Sequence, residues 1–152
     1  MKTRIALIFC FFLAQASLTK AQSNWEAGIR IADNIGIDMT IPIAAEPRLH
    51  PTVYLDRFGV GTYFDWMFGL SGGPSGLKFY PGFGPEFFFE GDFDFRLAGD
   101  FGVEYTFDFP LTVGIDWRPA IQLTEEQDFF SGNWGLMARF RFGEGTRFVK
   151  LD

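Results

Sequence analysis

The sequence predicts an all-β fold, an antiparallel up-and-down transmembrane β-barrel of eight strands. Apolar and polar residues alternate almost without interruption over residues 92–123, and a period of two is that of a β-strand with two chemically different faces. Large aromatic residues take one parity and charged residues the other, as in strands between lipid and a polar interior. Aromatic residues make up 19% of the chain, which is more than a soluble core of this size needs.

The first residues resemble a secretory signal peptide. Lys2 and Arg4 precede a nine-residue apolar segment, and small residues follow it. This segment is too short for a transmembrane helix, which needs roughly 20 residues. We therefore expect residues 1–21 to be a signal peptide and residues 22–152 to form one barrel domain, with cleavage a few residues earlier as an alternative. Cleavage would also remove Cys10, the only cysteine, and with it any thiol chemistry.

The charge of the chain argues against a nucleic-acid partner. There are 19 acidic and 13 basic residues, which gives a formal net charge of −6, and loss of the signal peptide would make it more negative. No later apolar stretch has the length of a membrane-spanning helix. The exported chain is therefore either soluble or inserted as a barrel, and its aromatic content favours the barrel.

Eight alternating segments are predicted as the strands. They are residues 25–33, 35–41, 49–56, 58–70, 77–90, 92–109, 111–123 and 133–142. In the first two, isoleucines take the outward parity and Arg30 and Asp38 the inward one, and Asp33-Asn34 forms the tight turn between them. An even strand number places both termini on one side, which is the periplasm in bacterial barrels.

Prolines complicate the third and fifth strands. Pro47 and Pro51 make the third strand the weakest prediction, because proline lacks a backbone donor and favours edges or bulges. Pro81 and Pro85 interrupt the fifth strand, where we expect a bulge. The fourth strand alternates clearly and ends at a glycine- and serine-rich connection, residues 71–76.

The last three strands carry the clearest signal. Along the sixth and seventh, aromatic and aliphatic residues alternate with charged, small and hydroxylated residues. In the eighth, Arg139 and Arg141 alternate with Phe140 and Phe142. Such a pattern does not suit a soluble core, whereas in a barrel the arginines would point into a polar lumen.

Charged residues of the inward parity are predicted to form a network in the lumen. Its members are Glu26, Arg30, Asp38, Asp65, Arg96, Asp100, Glu104, Asp116, Arg118, Arg139 and Arg141. Lys78 and Glu86 share this parity. An eight-stranded barrel is just wide enough for its own side chains to fill, and unpaired buried charges are costly. We therefore expect opposite charges to pair and close the interior, with a narrow ion path as the alternative.

The sequence predicts no catalytic, cofactor-binding or metal-binding residue. His50 is the only histidine, and its neighbours suggest a strand end rather than a nucleophile with its base. One histidine without a cysteine also argues against a soft-metal site. The glycines around Val60 and Phe83 lie inside alternating strands and not before a helix, so we expect them to make room for large lumen side chains rather than bind phosphate.

The longest polar loop, residues 125–130, contains an acidic segment. Glu125, Glu126 and Asp128 lie in it, and Asp92 and Asp94 are candidates to join them. Solvation of a loop tip explains such a cluster. The alternative is a site that binds Mg²⁺ or Ca²⁺ and bridges to lipopolysaccharide phosphates, because carboxylates favour hard cations.

Several short sequence segments resemble those of a known family. Residues 102–107, Pro110-Leu111 and the Asp-Trp-Arg-Pro-Ala string at 116–120 look like the matching hairpin of small outer-membrane β-barrel proteins of Gram-negative bacteria, of the OmpA-like or OmpX-like kind. Residues 28–30 and 135–142 are similar to the opening and closing strands of that family.

The resemblance implies a monomeric eight-stranded barrel in the cell outer membrane, inserted by the barrel-insertion machinery and surrounded by lipid and lipopolysaccharide. Its expected role is structural or surface-interacting, without catalysis. The alternatives are a narrow channel for ions or small solutes and a lipid-modifying barrel enzyme that depends on His50. A soluble lipid-binding barrel, with the apolar parity turned inward around a ligand, is a further alternative.

Overall fold

The computed structural model describes residues 25–124 and 127–143, and within these ranges the protein is built from β-strands and their connections. The expected signal peptide and the expected loop residues Glu125 and Glu126 lie outside the described residues. Among the described residues, no helix is long and apolar enough to cross a membrane.

Eight antiparallel strands form the fold, three of them in two segments. They are β1 Trp25–Ile31, β2 Gly36–Pro42, β3 Pro47–Tyr54, β4 Gly59–Trp66 with Phe68–Gly69, β5 Leu77–Phe88, β6 Asp94–Thr106, β7 Leu111–Trp117 with Ala120–Gln122, and β8 Phe129–Phe130 with Trp134–Phe142. Gly72 and Gly91 have positive φ angles of 83° and 80° in two of the connections, a conformation that glycine adopts without steric cost.

The sheet closes on itself. Each strand pairs with its neighbours in sequence, and β8 returns to β1 through seven residue pairs from Trp25↔Phe142 to Ile31↔Leu136. Closure removes the free edges of an open sheet. The prediction of an all-β, eight-stranded antiparallel barrel is therefore confirmed.

The prolines disturb the strands less than the sequence suggested. The third strand begins at Pro47 and pairs with β4 through eight residue pairs, including Pro51↔Thr62. The expected bulge at Pro81 and Pro85 is wrong, because β5 pairs with β6 through twelve residue pairs in unbroken register. The other side of β5, which faces β4, is where the pairing is interrupted: Pro85 has no partner on β4, because proline has no backbone N–H to donate. The register of β4 with β5 is the same on both sides of this interruption.

An irregularity that the sequence did not predict lies in β8. Phe130 pairs with Ala120, and Trp134 pairs with Trp117. Three residues of β8 therefore oppose two residues of β7, which is a one-residue bulge. Phe129 and Phe130, expected in a polar loop, belong to the strand before this bulge.

The two faces of the barrel differ sharply in chemistry. Outward side chains are apolar and exposed, with Leu136 at 63% and Phe140 at 40%. Most inward side chains are polar and buried, with Asp100 and Arg139 at 0%. The alternative with apolar side chains around an internal ligand therefore does not describe this barrel.

Candidate functional site

The interior of the barrel is filled by charged and hydroxylated side chains instead of an aliphatic core. The buried charged residues and histidine, within the described part of the chain, are Glu26, Arg30, Asp38, Arg48, His50, Asp65, Glu86, Asp94, Asp100, Glu104, Asp116, Arg118 and Arg139. Period-two alternation brings them together, because each strand directs every second side chain inward.

His50 lies at the centre of this interior. It projects from β3, is fully buried, and its Nε2 lies 2.8 Å from Asp38 Oδ2. Its Nδ1 lies 2.9 Å from Asp65 Oδ2 and 2.7 Å from Asp100 Oδ2. The ring thus connects carboxylates from β2, β4 and β6. The sequence interpretation of His50 as a strand-end residue is wrong, because β3 extends on both sides of it.

Arg118 connects the centre to β7. Its Nε lies 3.1 Å from Asp100 Oδ1, and its Nη2 lies 3.2 Å from Asp38 Oδ1 and 3.1 Å from Asp116 Oδ2. The guanidinium also stacks over the ring of Tyr63 at 4.5 Å from the centroid. One planar cation therefore satisfies three carboxylates, a geometry for which the five donors of arginine are suited.

Arg139 connects the centre to β8 and β1. Its Nε lies 3.1 Å from Glu26 Oε2, its Nη1 lies 2.9 Å from Asp38 Oδ2, and its Nη2 contacts Glu104. Arg48, which the sequence analysis did not place in the network, binds the same Glu104 at 2.9 Å.

Arg30 and Asp116 form a further buried pair, with Nη2 2.7 Å from Oδ1. Arg30 also donates to Asn133 Oδ1 at 3.1 Å. The inward position opposite this guanidinium is Gly135, where a Cβ would lie 2.6 to 2.7 Å from three guanidinium atoms. A side chain at position 135 would therefore displace this guanidinium from its place beside Asp116.

Two predicted members, Arg96 and Arg141, lie toward the two ends of the barrel. Arg96 is half-buried at the end formed by the β1–β2, β3–β4, β5–β6 and β7–β8 connections, here called the loop end, where it binds Asp94 at 2.5 Å. Arg141 lies at the opposite end, here called the terminal end, with Nε 3.8 Å from Glu26 Oε1. The other nine predicted members lie between them in the buried interior.

Two tyrosines and Glu86 form a second cluster below the loop end. Tyr54 Oη lies 2.5 Å from Tyr63 Oη, and both hydroxyl oxygens lie within hydrogen-bond distance of Glu86 Oε1, Tyr54 at 2.9 Å. Tyr54 and Glu86 border a cavity of about 590 Å³ that opens at the loop end, where Arg57 is another of its lining residues.

A smaller cavity of about 240 Å³ lies at the terminal end, bordered by Glu26, Arg48 and Glu104 among others. No residue lines both cavities, and the ion-pair network occupies the space between them. Side chains of the described residues therefore separate these two cavities.

The inward residues of β3 were missed although the sequence carries their signal. Arg48, His50, Thr52 and Tyr54 form one parity, opposite Leu49 and its outward neighbours. The prolines on the outward parity obscured this alternation, because proline favours strand edges or bulges.

The expected acidic loop site is only partly described. Asp128 is exposed, and its backbone oxygen accepts a hydrogen bond from the amide of Gln122 at 2.9 Å. Asp94 is buried and lies 3.0 Å from Arg57 and closer to Arg96, and its Oδ1 accepts a hydrogen bond from Thr124 Oγ1 at 3.5 Å. Glu125 and Glu126 lie outside the described residues.

Comparison with known proteins adds no relative, since no family model, curated protein or solved structure matches the chain. A barrel of this kind can host many unrelated functions. Function must therefore be inferred from the surface and the interior of the barrel itself.

Proposed function

We propose that the protein is an integral outer-membrane β-barrel, exported through an N-terminal signal peptide, with a structural or surface-interaction role. The observation that supports the proposal most strongly is the inversion of the usual protein interior: apolar side chains cover the outside and ion pairs fill the inside. Soluble proteins rarely expose contiguous apolar patches larger than a few hundred Å². An apolar exterior of this extent is stable where hydrocarbon surrounds it.

The distribution of tryptophan also supports insertion in a bilayer. Trp25 stacks on Phe142 at the terminal end, with ring centroids 4.4 Å apart, and Trp66 lies at the same end of β4. Trp117 stacks on Trp134 nearer the loop end, at 5.8 Å. Tryptophan prefers the two interfaces of a bilayer, and these pairs fit two such belts.

The filled lumen favours a non-conducting barrel over the channel alternative. Arg118 and Arg139 both bind Asp38 in the middle of the barrel, so an ion would have to break buried, charge-assisted hydrogen bonds to pass. The enzyme alternative has no support from His50, which lines neither end cavity and is enclosed by carboxylates. We therefore assign the protein neither transport nor catalysis.

Cell fractionation tests the location. Expressed with residues 1–21 in a Gram-negative host, the protein is expected in the outer-membrane fraction after a carbonate wash and to require detergent for release. A matched chain that lacks residues 1–21 should fail to reach this fraction. Recovery of the full chain in a detergent-free periplasmic extract would refute the proposal.

Planar-bilayer recording tests the closed lumen. Purified protein inserted in a bilayer is expected to give no stable conductance steps, because the network leaves two separate end cavities. An Arg139→Gly variant provides the comparison, since it removes the side chain that joins β8 to Asp38 and Glu104. Regular steps from the unchanged protein would instead support the channel.

A further inference from the structure

Three side chains from three strands converge at the centre of the barrel. His50 of β3, Asp65 of β4 and Asp100 of β6 are each fully buried. One possible ligand atom from each, a ring nitrogen or a carboxylate oxygen, lies within 4.8 Å of the other two. The convergence is set by the barrel frame, because the strands that carry these residues are held by β-pairing.

One ring nitrogen cannot satisfy the two carboxylates that face it. His50 Nδ1 carries at most one proton, and its hydrogen bond is directed to Asp65 Oδ2 at 2.9 Å. Asp100 Oδ2 lies 2.7 Å from the same nitrogen and has no hydrogen-bond donor. Asp65 Oδ1 is buried without a donor as well. Unsatisfied buried anionic oxygens are costly, and a cation among them would remove that cost.

The charge of the interior also indicates a cation at this place. In the described part of the chain, eight carboxylates and four guanidiniums are buried. At the ends, Arg57 and Arg96 bind Asp94, and Arg141 lies near Glu26. Counted together with these three arginines, seven guanidiniums face the eight buried carboxylates, so the interior has one carboxylate more than it has guanidiniums. A bound cation would offset this negative charge.

The opposite side of the imidazole has the arrangement expected of a metal-bound histidine. His50 Nε2 lies 2.8 Å from Asp38 Oδ2. Metal-bound histidines commonly donate their second N–H to a carboxylate, which fixes the tautomer and the orientation of the ring. Asp38 is itself held by Thr52 at 2.7 Å and by Arg139 at 2.9 Å. Because Nε2 of the ring is directed at Asp38, Nδ1 on the other side faces Asp65 and Asp100.

We propose that His50 Nδ1, Asp65 and Asp100 bind one divalent transition-metal ion inside the barrel. A ligand set of one imidazole and two carboxylates suits Zn²⁺. The ion would link β3, β4 and β6 in a structural role, because all three ligands are buried and line neither end cavity. It would therefore enter while the barrel closes and exchange slowly afterwards. This site does not depend on the membrane location of the protein.

Metal analysis of the folded full chain tests the proposal. The protein is purified in detergent from cells grown with added Zn²⁺, treated with a chelator and desalted, and its zinc is measured by elemental analysis. We expect about one Zn²⁺ per barrel to survive the chelator, since the metal would be enclosed by the fold. Protein produced with Co²⁺ in place of Zn²⁺ should show visible absorption bands of ligated cobalt.

Variants connect the metal to these ligands. Asp100→Asn and His50→Gln are each expected to lower retained zinc by at least about tenfold. Asp116→Asn is the matched control, because it makes the same charge change on a buried aspartate outside the cluster, and it should keep the metal. If the ligand variants do not fold, the zinc content of the unchanged protein decides whether the site binds metal. Folded protein without zinc or cobalt would overturn the site, and so would equal retention in Asp100→Asn and Asp116→Asn.

Discussion

Individual arginines hold the interior together. Arg139 is fully buried and makes ion pairs with Glu26, Asp38 and Glu104, which come from three other strands. The desolvation of one buried charge costs more free energy than a single ion pair returns. The buried guanidinium of Arg139 therefore needs all three of its carboxylate partners. Loss of one such cation would leave several buried anions without compensation.

Arg139→Met is therefore expected to lower the free energy of unfolding by about 3 to 5 kcal/mol, the cost of breaking a buried pair from one side. Urea titration in detergent micelles measures this change. Arg141→Met is the control, since Arg141 is partly exposed and its nearest carboxylate oxygen is 3.8 Å away. Its effect should stay below about 1 kcal/mol. Equal losses in the two variants would contradict a network centred on Arg139.

Strands and their faces could be read from the sequence, whereas the pairing of side chains could not. Period-two alternation placed Asp100 and Asp116 on the inward parity without knowledge of any contact. Which arginine meets which carboxylate depends on strand register and barrel closure, and sequence spacing contains neither. Arg48 and His50 were missed for a local reason, because Pro47 and Pro51 on the other parity of β3 favour edges or bulges and made this strand the weakest prediction.

Inward glycines show how closely the strands surround the network. Gly82 of β5 lies beside Asp65, and a Cβ at position 82 would overlap Asp65 Oδ1. The backbone oxygen of Phe64 would lie 2.9 Å from the same Cβ. Because backbone atoms cannot move aside without loss of pairing, β5 accepts only glycine here.

Gly82→Ala is expected to destabilise the barrel by about 1 to 3 kcal/mol, as overpacking does in a filled interior. Gly69→Ala is the matched control, because nothing lies within 4 Å of a Cβ at position 69, and its effect should be small. Urea midpoints of both variants, compared with the unchanged protein, measure the difference. Similar midpoints for the two variants would contradict the close approach of β5 to Asp65 and Phe64.

The molecule as a whole carries its apolar residues on the outside, and this makes its stability depend on its surroundings. In water, replacement of an exposed Ile or Phe by arginine changes the free energy of unfolding little. In a bilayer, arginine on the outer face costs about 2 to 4 kcal/mol at mid-depth and about 0 to 1 kcal/mol near the interface. Depth dependence of this kind distinguishes a membrane barrel from a soluble one.

Ile115→Arg and Phe109→Arg provide that comparison. Ile115 lies within β7 and is 45% exposed, whereas Phe109 lies in the β6–β7 turn and is 55% exposed. In lipid vesicles, Ile115→Arg should lower the free energy of unfolding by about 2 to 4 kcal/mol and Phe109→Arg by no more than about 1 kcal/mol. Equal tolerance at the two positions would contradict insertion with β7 across the bilayer.

Folding with and without lipid tests the membrane proposal most directly. The denatured chain is diluted into buffer alone or into buffer that contains phosphatidylcholine vesicles, and folding is followed by circular dichroism and by the shift in gel migration on heating. With an apolar exterior and a charged interior, we predict a folded barrel only when vesicles are present. A folded, monodisperse protein in buffer without any amphiphile would contradict the proposal.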